Sequence, residues 1–192
     1  MAPGTSEPAP GRLLVATPAL TDGPFARSVV QLLQYSCSDG GLGLVLTSPT
    51  SVALDDVLPG WSLLAPDPAV VFDGGPVQES VAVCLGWLRA GAGPSSTYLT
   101  VPGAPWLATV DLDADLSSGL GPVEQVRVFA GYAGWAPGQL EDEVEQGGWW
   151  ALDALPGDAF TGRPDLLWRQ VLARQDMPLA LAASYPADPT LN

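Results

Sequence analysis

Apolar residues along this chain fall in short runs bounded by turn formers, a pattern that predicts strands more often than helices. Leu13-Leu14-Val15-Ala16, stopped by Thr17-Pro18, has the length and limits of a buried strand, and Thr21-Asp22-Gly23-Pro24 predicts a turn. Residues 28–35 form a near-continuous apolar run. Cys37-Ser-Asp-Gly-Gly41 then leads into Leu42-Gly43-Leu44-Val45-Leu46, which predicts a hairpin. Ala69-Val70-Val71-Phe72 is another buried strand, running into Asp73-Gly74-Gly75-Pro76-Val77. Val81, Val83, Leu85 and Trp87 alternate with smaller residues; extended patterns return at 97–101, 106–110 and 125–130.

Helical signals are fewer. Residues 54–58 read as a helical turn ended by Pro59-Gly60. A short helix is expected over 137–146, carrying Glu141, Glu143 and Glu145 as a solvated face. Residues 164–174 place Pro164 and Asp165 at a helix start and arginines toward its end, with Leu167, Trp168, Val171 and Leu172 as the apolar face. No fixed-period repeat is present, and the mixture predicts an α+β fold. The proline-rich stretches 1–10 and 184–192 are expected to be flexible tails around a single domain spanning 11–178.

Composition narrows the chemistry. All seven cationic residues are arginine, and the chain has no lysine and no histidine. Histidine-based nucleophile pairs, imidazole bases, Schiff bases and Gly-Lys-Ser/Thr phosphate loops are therefore excluded. Twenty-one acids bring the net charge to −14, which repels nucleic-acid phosphates, so direct DNA or RNA binding is not expected. The first ten residues lack a basic start and an apolar core, and no stretch approaches the roughly 18 apolar residues of a membrane span. A cytoplasmic protein without membrane association is expected. Cys37 and Cys84 form no C-x-x-C pair, and each reads as a small buried hydrophobe.

Several segments, in order, resemble the YqgE/AlgH family of bacterial proteins. They are Gly11-Arg-Leu-Leu-Val-Ala-Thr-Pro18, Asp22-Gly-Pro-Phe25 with Arg27-Ser-Val-Val30, Gly43-Leu-Val-Leu46, Gly74-Gly-Pro-Val77 and Gly131-Tyr-Ala-Gly-Trp-Ala-Pro-Gly-Gln-Leu-Glu141. The similarity runs from about residue 11 to about residue 175. It implies a bifurcated, mostly antiparallel sheet curled into a pseudo-barrel with flanking helices. It implies little about activity, since the family's label as a transcriptional regulator rests on a genetic association with alginate production. Two departures stand out: many members carry Asn-Arg-Pro where this chain has Thr47-Ser48-Pro49, and Leu-His where it has Leu85-Gly86.

The candidate binding residues lie in those motifs. In the last of them, Gly134 and Gly138 permit unusual backbone angles, Trp135 offers a flat wall, and the 137–139 turn exposes helix N–H groups able to meet an anion, with Gln139 beside them and Glu141 competing. The simpler alternative is a tight strand-to-helix connection with Trp135 as a core anchor. Gly74, Gly75 and Pro76, with Asp73 and Gln78, form either one wall of a cleft or a turn that only this tripeptide can make. Asp22 and Phe25 read as a turn-capping carboxylate and an apolar plug. The Asp111-x-Asp113-x-Asp115 run lacks the glycine and glutamate of a calcium loop, and Asp115 is expected to cap a short turn. One of Trp149 and Trp150 is expected to face a partner, because neighbours on a strand point to opposite sides. No metal, catalytic residue or cofactor is implied. The favoured reading is a non-enzymatic adaptor that binds a protein partner; the alternative is an enzyme or small-ligand binder using Asp22, Asp73 or Glu141.

Overall fold

The computed structural model describes residues 6–21, 23–114, 116 and 119–186. Asp22 and Asp115, read above as turn and cap carboxylates, lie outside the described residues, as does 187–192 of the expected C-terminal tail. Among the described residues ten strands and three α-helices follow in order: β1 (Leu13–Ala16), β2 (Val29–Ser36), β3 (Gly40–Val45), β4 (Pro49–Ala53), α1 (Leu54–Val57), β5 (Val70–Asp73) and β6 (Val77–Leu88). Then come β7 (Tyr98–Val101), β8 (Ala104–Val110), β9 (Val123–Trp135), α2 (Gln139–Glu145), β10 (Trp149–Leu152) and α3 (Pro164–Ala173). No helix of the described residues is long and apolar enough to cross a membrane.

The sheet runs β10-β1-β2-β3-β9-β6-β8-β7, with β4 and β5 branching beside it, and all pairings are antiparallel except β5 with β9. The branch point is β9. Its first part pairs with β6, Phe129 and Ala130 pair with β5, and Ala133, Gly134 and Trp135 pair with β3. A strand of 13 residues thus serves both arms of a bifurcated sheet. The sheet is open rather than a closed barrel, yet it curls until the β7–β8 turn meets the residues that lead into β1. A Cβ on Gly11 would stand 2.7 Å from the Pro102 carbonyl oxygen, and one on Gly103 would stand 2.6 Å from that of Pro10. Ser6, part of the expected N-terminal tail, lies beside β10, where its N–H donates to the Ala151 carbonyl at 3.0 Å.

Both faces of the sheet's first arm are covered, which is why β1 and β2 are apolar at successive positions instead of alternating. Leu13, Val15, Val29 and Leu33 join the α3 residues Leu167, Trp168, Val171 and Leu172 on one side. Leu14, Ala16, Val30 and Leu32 join Trp135, Leu140 and Trp149 on the other. The tryptophan pair follows from this. Trp149 is 2% exposed in the second core while Trp150 packs against the first, so the neighbours point to opposite sides of the strand and each meets a core. A third cluster, with Trp61, Tyr98, Val126 and Val128, fills the β6-β8-β9 arm. Cys84 is buried there, and burial pushes its thiol up to about 12. Cys37 is exposed, a correction to its reading as a buried hydrophobe, because it sits in the polar turn after β2.

Candidate functional site

A cleft of about 370 Å³ opens where the loop between β1 and β2 passes α2 and β10. Its aromatic walls are Phe25, Trp135 and Trp149, with Leu20, Gly134 and Gln139 around them. Phe25 stacks with Trp135 at 6.4 Å between ring centroids and meets Trp149 edge-on at 5.5 Å; the two indoles are 6.0 Å apart. Phe25 arrives from the loop because Thr17 ties that loop down: its N–H donates to the Gly148 carbonyl at 3.0 Å and its hydroxyl to the Gly147 carbonyl at 2.6 Å.

The residue that organises this cleft is Glu143, which the sequence presented only as one acid of a solvated helix face. Its Oε2 accepts from Trp149 Nε1 at 2.7 Å and Trp135 Nε1 at 3.0 Å, and its Oε1 accepts from Gln139 Nε2 at 2.8 Å. Both indole edges are thereby fixed to one carboxylate. Replacing Glu143 by Ala would strand the indole donors of two buried tryptophans, at about 1–3 kcal/mol each. The sequence signal was the placement of an acidic helix between two tryptophans that flank it in the chain.

The other expected groups divide between two places. Gly138 stands before α2 with φ of 79°, and the helix begins at Gln139 rather than Pro137. Of the N–H groups suggested for an anion at 137–139, that of Gln139 donates to the Ala136 carbonyl at 3.0 Å, while Gln139 Oε1 accepts the Ala136 N–H at 3.0 Å. α2 is also only seven residues long, with Glu141 and Asp142 in its first turn. Glu141 instead meets Tyr35, which also approaches Cys37 Sγ at 3.8 Å. The Tyr35 bond is the main reason the Glu141 carboxyl is held below its usual range. Burial first, then that bond, raises the Tyr35 phenol.

Gly74 and Gly75 press backbone to backbone on β9. A Cβ on Gly74 would collide with the Gly131 carbonyl oxygen, and Gly75, at φ of 138°, leaves 2.5 Å between such an atom and the Ala133 nitrogen. Gly74 also donates to the Ala130 carbonyl and accepts from Val45 N–H. Asp73 and Pro76 are exposed at the margins of this crossing, and Asp73 Oδ1 accepts the Gly75 N–H at 3.0 Å. The two motifs, each read above as a candidate cleft wall, are thus neighbours in one sheet, with Val77 paired to Tyr132 and packed on Gly134. The aromatic cleft is lined instead by the β1–β2 loop, the end of β9, α2 and the start of β10.

This arrangement has known relatives. The AlgH-like family model matches residues 13–180. The chain belongs to the AlgH-like family. A UPF0301 protein of Streptomyces avermitilis is 48% identical over 188 residues, covering 95% of this AlgH-like chain and 94% of the relative. A crystal structure of a protein from Corynebacterium diphtheriae is 36% identical, with a TM-score of 0.86 over 94% of each chain. The solution structure of the AlgH protein from Pseudomonas aeruginosa is 28% identical, with a TM-score of 0.65 over 94% of this AlgH-like chain and 97% of that one.

Proposed function

We propose that this AlgH-like chain is a non-catalytic cytoplasmic adaptor that takes an apolar side chain of a partner protein into the Phe25–Trp135–Trp149 cleft. One observation carries the reading: the carboxylate at the heart of the cleft is committed to holding its walls. With both oxygens of Glu143 accepting from Trp135, Trp149 and Gln139, the group positions aromatic surface and is not poised to move a proton. Tryptophan and phenylalanine walls with a polar margin are the composition of interface anchor sites. The net charge of −14 favours a basic partner segment, and any effect on transcription runs through that partner rather than through DNA.

The test is affinity capture from native cells by the full chain and by two variants. Phe25→Ala removes the cleft wall supplied by the β1–β2 loop. Gln146→Arg bulks its exposed rim without touching the core. Both are expected to lose a partner that the parent chain retains, while Leu99→Asp, on the exposed β7 strand, keeps it. Equal capture by Gln146→Arg with unchanged thermal unfolding overturns the reading.

A further inference from the structure

Seven arginines are the whole cationic inventory, and their placement is uneven. Four are spent in ion pairs: Arg12 with Asp153, Arg89 with Glu124, Arg163 with Asp165 and Arg174 with Asp158. Arg127 is buried against carbonyls and the Phe72 ring. The remaining two, Arg27 and Arg169, line one cavity of about 340 Å³ between the β1–β2 loop and the start of α3. Neither has an ion-pair partner among the described residues.

The cavity wall supplies hydroxyls as well. Ser28, Thr47 and Ser48 line it. Ser28 is 2% exposed and its Oγ is buried without a hydrogen-bond partner. Thr47 Oγ1 accepts from the Val29 N–H at 3.4 Å, which leaves its proton free to donate. Arg27 is fixed rather than floppy. Its guanidinium lies 4.4 Å over the Trp168 ring and Nη2 donates to the Tyr185 carbonyl at 2.8 Å, while Nη1 is buried with no partner. Its backbone sits at φ of 55°, an uncommon conformation for a side chain of this size. Burial, then the charge of Arg169, pulls the Arg27 guanidinium below its ordinary pKa. Among the described residues the one carboxylate on the wall is Asp165, held by Arg163 at 3.2 and 3.1 Å.

We infer that this cavity is a binding site for a small phosphomonoester. Two guanidiniums match its charge, and three hydroxyls, the unpartnered Arg27 Nη1 and the Arg169 guanidinium together offer more donors than the roughly four lone-pair sites of a carboxylate accept, but suit the three oxygens of a phosphoryl group. The volume leaves room for an organic portion beyond the phosphate. The site is separate from the aromatic cleft and does not depend on the adaptor reading.

Calorimetric titration of the full chain with phenyl phosphate, inorganic phosphate and benzoate at matched ionic strength tests the inference. Saturable binding of phenyl phosphate is expected, tighter than inorganic phosphate and absent for benzoate, with amide chemical-shift changes at residues 27–28 and 47–48. Arg169→Gln, at an exposed position that leaves folding intact, is expected to weaken binding about tenfold, as loss of one charge-assisted contact should. Ser28→Ala is expected to weaken it several-fold. No saturable binding of phenyl phosphate, equal binding of benzoate, or an affinity unchanged in Arg169→Gln overturns the assignment.

Discussion

Tyr35 and Glu141 meet where β2 leaves the core and α2 begins, and each shifts the other in opposite directions. The phenol is raised, chiefly by burial and then by its bond to Glu141; the carboxyl is lowered, chiefly by the same bond. The raised phenol contributes stability that is fully present below the ordinary tyrosine value of about 10 and is lost as pH climbs through the folded-state value. The lowered carboxyl contributes stability present above the ordinary glutamate range and lost as pH falls through its folded value. Glu141→Gln removes the charge but not the burial. Its Tyr35 is therefore expected to ionise at lower pH than in the parent chain while staying above the ordinary value. Tyrosinate absorbance across an alkaline titration, with Tyr35→Phe identifying the contribution of this residue, reads the shift. A Tyr35 transition unmoved by Glu141→Gln would show that the contact is not made in solution.

At the scale of elements, the crossing of the Gly74–Gly75 segment over β9 sets how the two arms of the sheet diverge. Gly131 has φ of 68°, and a Cβ there would overlap the Gly75 carbonyl oxygen and come within 3.1 Å of that of Val77. Backbone on both sides leaves nothing flexible to give way. Gly131→Ala is therefore expected to cost about 3–4 kcal/mol, or about 10 °C in the melting temperature of a domain this size. Gly138→Ala, also at positive φ but with open space around it, is expected to cost about 1 kcal/mol. Equal melting temperatures for the two variants would remove the crossing as a determinant. The glycines of this crossing were legible in the sequence because only a positive φ or close backbone approach calls for them. So were β1, the β2–β3 hairpin and α3, whose apolar residues sit between clear stop signals. Three features were not. β4 is mostly exposed and begins at Pro49, so it carries no apolar run and exists through pairing with β5. The end of β9 looked like a connection because Gly131 and Gly134 interrupt its pattern, although pairing with β3 holds it extended to Trp135. Glu143 is invisible to periodicity, since its two indole partners come from a strand before the helix and a strand after it.

Over the whole molecule, an excess of 14 negative charges must coexist in a single folded chain, and two opposing electrostatic effects decide how salt acts on it. Added salt screens the exposed pairs Arg89–Glu124 and Arg163–Asp165, each worth at most about 1 kcal/mol. It also screens the self-repulsion of the unpaired acids, which outnumber those pairs several-fold, so repulsion relief wins. Sodium chloride is therefore expected to raise the melting temperature at pH 7 by a few degrees between low and physiological ionic strength. A fall would mean that the ion pairs outweigh the excess charge. Phosphate at the same ionic strength adds two further contributions: general exclusion from the protein surface, and occupancy of the Arg27–Arg169 cavity by mass action. Arg169→Gln separates them, because it leaves exclusion untouched and removes one of the two guanidiniums. The chloride response is expected to survive in that variant while the increment specific to phosphate shrinks. An increment of equal size in both chains would assign the whole phosphate effect to exclusion and leave the cavity without an anion.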